Sequence, residues 1–138
     1  MEKKELKKAN GDVYFESVRM TDNAYVFVNW VGIQSLETMV MGYNLVLSML
    51  KEKSCPGLLN SNRELIGPWD DAVTYLAYKW APAAHGLGLR NVAHVLSPGI
   101  FGQRSYEKFS QLLKEEDLHL RAFEKQAQAE EWLLLHLV

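Results

Sequence analysis

Strand-like apolar runs alternate with helix-like apolar stripes along almost the whole chain, and this constrains the fold most. Val13–Met20 and Ala24–Val31 are rich in β-branched and aromatic residues, and Thr21-Asp22-Asn23 between them is a polar, turn-forming tripeptide. Two such runs so joined predict an antiparallel hairpin, with Gly32 ending its second strand. Ser35 then offers a helix cap, and Leu36, Met39, Val40, Tyr43, Leu47 and Leu50 recur at three- and four-residue steps. That stripe predicts an amphipathic helix to about Lys51. Gly42 within it costs about 1 kcal/mol relative to alanine, which implies close packing against a neighbour.

The alternation continues after Pro56-Gly57. Gly57–Asn60 reads as a short buried strand ending in the turn-rich Asn60-Ser61-Asn62. Pro68 opens a second helix, with Asp70 and Asp71 near its positive end and Val73, Leu76, Ala77 and Trp80 facing inward. Pro82 disturbs that helix near its last turn, and Gly86 and Gly88 stop it. Asn91–Leu96 is the next strand. A third helix runs from about Phe101 to Glu115, with Phe101, Ser105, Phe109, Leu112 and Leu113 inward. Leu118–Phe123 alternates as a strand, and Gln126–His136 is a last helix.

The expected order is β-β-α-β-α-β-α-β-α. It predicts an α/β fold with a single mixed sheet and helices packed on it, the hairpin supplying an antiparallel edge. One domain is expected over residues 13–138. Residues 1–12, with four lysines and two glutamates before Ala9, are expected to be a polar, frayed lead-in.

Composition narrows the function classes. With 48% apolar and 23% charged residues the chain is an ordinary globular mix. Fifteen basic against seventeen acidic side chains leave a net charge of −2, so there is no basic excess for nucleic acid. No apolar run approaches the ~20 residues of a bilayer helix, so membrane insertion is not expected. The single cysteine, Cys55, makes neither an internal disulfide nor a thiolate cluster, which suits a reducing, cytoplasmic setting.

The second half carries a pattern. Asn91–Ser97, a Phe-containing helix, then Arg121 and Phe123, then Ala129, Trp132 and Leu133 resembles the STAS-like proteins of the sporulation anti-sigma-factor-antagonist type. The resemblance covers roughly residues 13–138 and is concentrated in 88–134. It implies a small mixed sheet with helices, often in non-enzymatic regulators. The lipid-carrying CRAL-TRIO domains share that fold, so the resemblance also admits carriage of a small apolar ligand. In the antagonists a loop after the third strand holds a phosphorylated serine preceded by aspartate. Here Asn60, Ser61, Asn62 and Arg63 occupy that region, making Ser61 the counterpart and these four a switch or ligand loop; no aspartate precedes the serine. Ordinary turn chemistry is the rival reading of the same residues.

Candidate chemistry is sparse. His85, His94, His119 and His136 lack the i, i+4 spacing of a helical metal pair, and only His94 and His119 stand on strands that can adjoin. No metal site or cofactor is expected. Cys55 follows a helix C-terminus, where the dipole disfavours a thiolate. Gly99-Ile-Phe-Gly102 opens a helix without a lysine or third glycine, and reads as helix entry. Asp70 and Asp71 diverge by about 100° around their helix and complement its dipole rather than forming an acid–base pair. Trp69, Tyr75, Tyr78 and Trp80 form an aromatic set offered either to a second copy or to a pocket between the second helix and the sheet. The expectation is a non-enzymatic binding or regulatory module acting through protein contact, with a carrier of a small apolar, lipid-like ligand as the alternative.

Overall fold

The computed structural model describes residues 2–137. It is an α/β fold with one six-stranded mixed sheet. The strands are β1 (Lys4–Lys7), β2 (Val13–Met20), β3 (Tyr25–Ile33), β4 (Gly57–Ile66), β5 (Asn91–Val95) and β6 (His119–Phe123), lying side by side in chain order. β1, β2 and β3 pair antiparallel; β3 through β6 pair parallel. The helices are α1 (Leu36–Glu52), α2 (Asp70–Tyr75), α3 (Ala81–Gly86), α4 (Ile100–Leu112) and α5 (Gln126–Leu135), with a π-helical turn, Leu76–Trp80, joining α2 to α3.

The sequential strand order decides how the sheet is covered. Crossovers of one hand that always step the same way place their helices on one face. Residues from α1, α2, α3 and α4 share one core with Val26, Val28, Leu58 and Val92 of the strands. The alternate strand positions, Tyr25, Leu59, Ala93 and Val95, meet Ala129 and Leu133 of α5 on the other face. That second face therefore depends on one terminal helix, which lies over β4, β5 and β6. Among the described residues, no helix covers its β2–β3 half beyond Tyr25.

Local chemistry accounts for the elements. The hairpin forms as expected, and Thr21, Asp22 and Asn23 all take positive φ, where Asp and Asn are among the few side chains tolerated. Asn23 is held there by Arg19, whose guanidinium donates to Asn23 Oδ1 and to the Met49 carbonyl. Ser35 caps α1: the Thr38 N–H donates to Ser35 Oγ at 3.1 Å and the Ser35 N–H to Thr38 Oγ1 at 2.9 Å. Gly42 packs as its cost implies, because a Cβ there would stand 2.4 Å from Trp30 Cη2 and 2.7 Å from Phe15 Cδ2. The close approach lets Phe15, Trp30, Tyr43 and Trp80 stack in series, with successive ring centroids 4.8, 5.1 and 4.9 Å apart. Such pairs contribute about 0.5–1.5 kcal/mol each beyond area burial.

Three expectations are corrected here. The lysine-rich lead-in is not frayed at Lys4–Lys7, which extends the sheet as β1. Leu6 reaches the core beside Phe15 while the lysines blunt the exposed edge. Gly32 does not end β3: it takes φ +79 within the strand, which runs on to Ile33. Pro82 disturbs its helix as expected, and the helix runs on to Gly86. The proline lacks an N–H and crowds the carbonyl four residues back, so the preceding turn widens and the Ala81 N–H reaches Leu76 O. Finally, Leu36 and Phe101, expected on inward stripes, are exposed; each sits in the first turn of its helix.

Candidate functional site

The stretch Asn60-Ser61-Asn62 is not a loop. It lies inside β4, and all three residues are buried. The strand continues through Arg63 and Glu64, which are exposed, and a bulge opposite Asn29–Val31 bends it. Alternation puts Asn60 and Asn62 on the face covered by α1–α4, where both meet His94 of β5. Ser61 points the other way, opposite Asn29, and its Oγ accepts from the Arg63 N–H at 3.4 Å. The hydroxyl expected at a loop tip is thus buried within a central strand. A kinase reaches it only if β4 opens.

His94 organises the polar centre. Trp30 Nε1–H donates to Asn60 Oδ1 at 2.8 Å, which fixes that amide and leaves its NH2 to donate. The NH2 lies 3.2 Å from His94 Nδ1, so Nδ1 is the acceptor and Nε2 carries the ring proton. An acceptor is then needed at Asn62, whose amide nitrogen is drawn 3.2 Å from Nε2 while its Oδ1 is buried without a partner. Amide N and O are nearly isosteric, and exchanging them removes both the donor–donor conflict and the stranded oxygen. The ring is completely enclosed, and burial lowers its pKa from 6.5 to about 3. It is a neutral imidazole at every physiological pH. Tyr106 stacks on it with centroids 4.5 Å apart, and burial pushes that phenol up to about 12. Trp69 lies 5.9 Å away on another side, its Nε1–H buried and unpaired. An imidazole whose two nitrogens are both committed to amides positions side chains; it does not shuttle protons.

The remaining candidates are also spent on structure. His119 is in register with Asn91 and not with His94, so the two histidines are three positions apart along the strands. His85 donates from Nδ1 to the Asp117 carbonyl at 2.7 Å, and His136 from Nδ1 to the Trp132 carbonyl at 2.8 Å. Among the described residues, no three His, Cys, Asp or Glu side chains are grouped to hold a metal ion. The Cys55 thiol is buried against the carbonyls of Asn23 and Gly57, and burial raises its pKa. Asp70 turns away from Asp71 as the helical geometry requires. It accepts from Lys108 and Ser105 of α4, and these contacts, Lys108 first, hold its carboxyl below the usual range. Ser105 in turn accepts from the Trp69 N–H at 2.9 Å, so the set ties α2 to α4.

The four aromatic residues do not converge. Trp80 is buried on Tyr43 and donates to its carbonyl at 2.9 Å. Trp69 is buried beside His94 and Phe109. Tyr75 is half-buried and donates to Asn44 Oδ1 of α1 at 2.9 Å, while Tyr78 alone is exposed. Leu76 and Trp80 themselves occupy the space between this helix and the sheet.

What sequence reasoning missed is the surface left open beside α5. Val18, Met20 and Phe27, all half-buried, line a groove of about 260 Å³ with Lys3, Glu16 and Gln126. Glu16 is bridged to Lys3 at 2.8 Å, and Asn29 Nδ2 donates to both Glu16 and Glu64. The signal was present: Val18 and Phe27 are register partners on the face opposite Val26 and Val28, and only one helix remained to cover that face.

No helix is long and apolar enough to cross a membrane among the described residues. Comparison with known proteins finds no matching family model, and no curated protein or solved structure matches the chain.

Proposed function

We propose that this chain is a STAS-like, non-enzymatic binding module that acts in the cytoplasm by docking another protein. The observation that carries the reading is the open β2–β3 half-face, where Val18, Met20 and Phe27 stand beside α5 with room for an apolar segment. A helix about 10 Å wide spans two strands, so one docked helix would complete this face next to α5. The interior polar groups support the same reading, since His94, Asn60 and Asn62 hydrogen-bond to one another rather than to an incoming molecule. The STAS-like expectation is supported by the packing of its motif. Arg121 lies over the Phe123 ring at 5.4 Å, Phe123 meets Trp132 at 5.8 Å, and Ala129 and Leu133 are buried on β5.

Carriage of an apolar ligand is the competing reading, and native mass spectrometry separates the two. Protein purified from its own host is expected to carry no lipid-like mass, and to appear with polypeptide partners when gently isolated. A stoichiometric lipid-like adduct would replace the docking reading with the carrier.

A further inference from the structure

The two edges of the sheet are built differently. β1 carries Lys4 and Lys7, and its register slips at a bulge between Leu6 and Lys7, both of which keep an edge from pairing. β6 pairs with β5 in unbroken register from His119 to Phe123 and has neither lysine nor proline. The parallel ladder fixes which of its backbone groups are used. The His119 N–H donates to the Arg90 carbonyl at 2.9 Å, and the Leu96 N–H donates to the Phe123 carbonyl at 2.9 Å. His119, Arg121 and Phe123 therefore turn their backbone groups to β5, and Leu120 and Ala122 turn theirs outward. Among the described residues, nothing pairs with those outward N–H and C=O groups. A groove flanks this edge on each face. On the α5 side, Arg121, Phe123, Trp132 and Leu135 line about 490 Å³, with Leu135 72% exposed. On the α4 side, Leu113, Leu118 and Leu120 line about 330 Å³.

We propose that an extended segment of another protein, bearing one acidic residue among apolar ones, adds to β6 as a seventh strand. An extended backbone matches the spacing of the outward N–H and C=O groups, and its side chains alternate between the two grooves. Charge decides the chemistry of the segment. The residue facing Arg121 across the new ladder would have its Cβ about 5 Å from that of Arg121. Among the described residues no carboxylate pairs with this guanidinium, so an acidic residue is favoured there. Its two neighbours would face Leu120 and Ala122 and are favoured as apolar. Glu124 and Glu131 border the groove on the α5 side and oppose further acids, so one carboxylate is called for and not an acidic run. The same arginine argues against a second copy. Two β6 strands matched over their whole length about a twofold axis would set Arg121 opposite its own copy, and like charges so placed repel. The inference goes beyond the partner-docking reading and uses a different part of the sheet from the β2–β3 groove.

Amide hydrogen exchange of the full chain, followed by NMR, tests it with three acetylated nine-residue peptides. Each alternates Thr with Val, and its central residue, flanked by Val, is Glu, Thr or Lys. With the Glu peptide at about 1 mM, the Leu120 and Ala122 amides are expected to exchange at least tenfold more slowly. The Lys peptide is expected to bind at least threefold more weakly. Ala122→Pro removes an outward N–H and spares the ladder to β5, so its melt should be unchanged while peptide binding falls at least tenfold. Arg121→Glu should prefer the Lys peptide, which keeps the test open if the proline variant misfolds. Val18→Glu, in the other groove, should bind as the wild type does. No slowing of either amide with any peptide, equal binding by Ala122→Pro, or weaker binding by Val18→Glu would overturn the proposal. So would a chain that dimerises in sedimentation equilibrium and is returned to monomer by Ala122→Pro, since the edge would then belong to a second copy.

Discussion

Lowering the pH from 7 to 4.5 is expected to remove about 2.5 kcal/mol of stability through His94 alone. Burial lowers its pKa to about 3 in the folded chain, against 6.5 when unfolded. The unfolded state therefore binds the proton first as pH falls. The contribution is complete above about pH 7, declines from pH 6.5 at about 1.4 kcal/mol per pH unit, and is lost towards pH 3. Carboxylates enter only at the lower end of this window: Asp70, held below the usual range by Lys108 and Ser105, adds a loss of the same sign at still lower pH. The comparison that isolates His94 is the slope of unfolding free energy between pH 6.5 and 4.5, from urea titrations of wild type and His94→Gln. The variant is expected to be less stable at pH 7, since Asn60 and Asn62 lose their shared partner. Its slope should be shallower by about 1 kcal/mol per pH unit. Equal slopes would mean that the imidazole is hydrated or already charged in the folded protein.

Gly42→Val is expected to destabilise by about 3 kcal/mol, lowering the melting temperature by roughly 10 °C. Its Cβ would fall within 2.4–2.8 Å of Trp30 and Phe15 ring atoms. Neither ring is free to yield. Trp30 is held through its indole N–H to Asn60 and stacked against Phe15 and Tyr43, so moving it disturbs the His94 network as well. Gly86→Ala is the matched control, because nothing lies within 4 Å of that Cβ and its φ is not left-handed. It should be neutral or slightly stabilising, by up to about 1 kcal/mol. A Gly42→Val protein melting within a degree or two of wild type would show that α1 does not pack as closely on the sheet as described.

Much of the fold was legible because strands and helices follow their periods. The Ser35 cap, the close approach at Gly42 and the hairpin at Thr21–Asn23 were each readable from local chemistry, and each forms for that reason. The polar centre was not legible. Asn60-Ser61-Asn62 has the composition of a turn, and only a partner from a distant part of the chain makes it a strand. His94, 32 residues beyond Asn62, supplies the hydrogen bonds that let both amides be buried. The alternation Leu58, Asn60, Asn62 facing an imidazole on the next strand was the available signal. Leu36 and Phe101 failed for a different reason. Helical spacing says which way a residue faces, but it does not say what covers that face at a helix's first turn. Lys4–Lys7 misled because charge at a terminus is read as fraying, although an edge strand tolerates the same lysines.

The open β2–β3 half-face is the claim on which the functional account rests. Val18→Glu places a second carboxylate beside Glu16 in that groove without entering the closed core. The decisive measurement is the amount of each protein co-purified from host cells by tagged wild type, Val18→Glu and Tyr78→Glu, at matched thermal stability. The account predicts a specific polypeptide retained by wild type and Tyr78→Glu and depleted at least tenfold by Val18→Glu. Equal recovery with all three forms would contradict it.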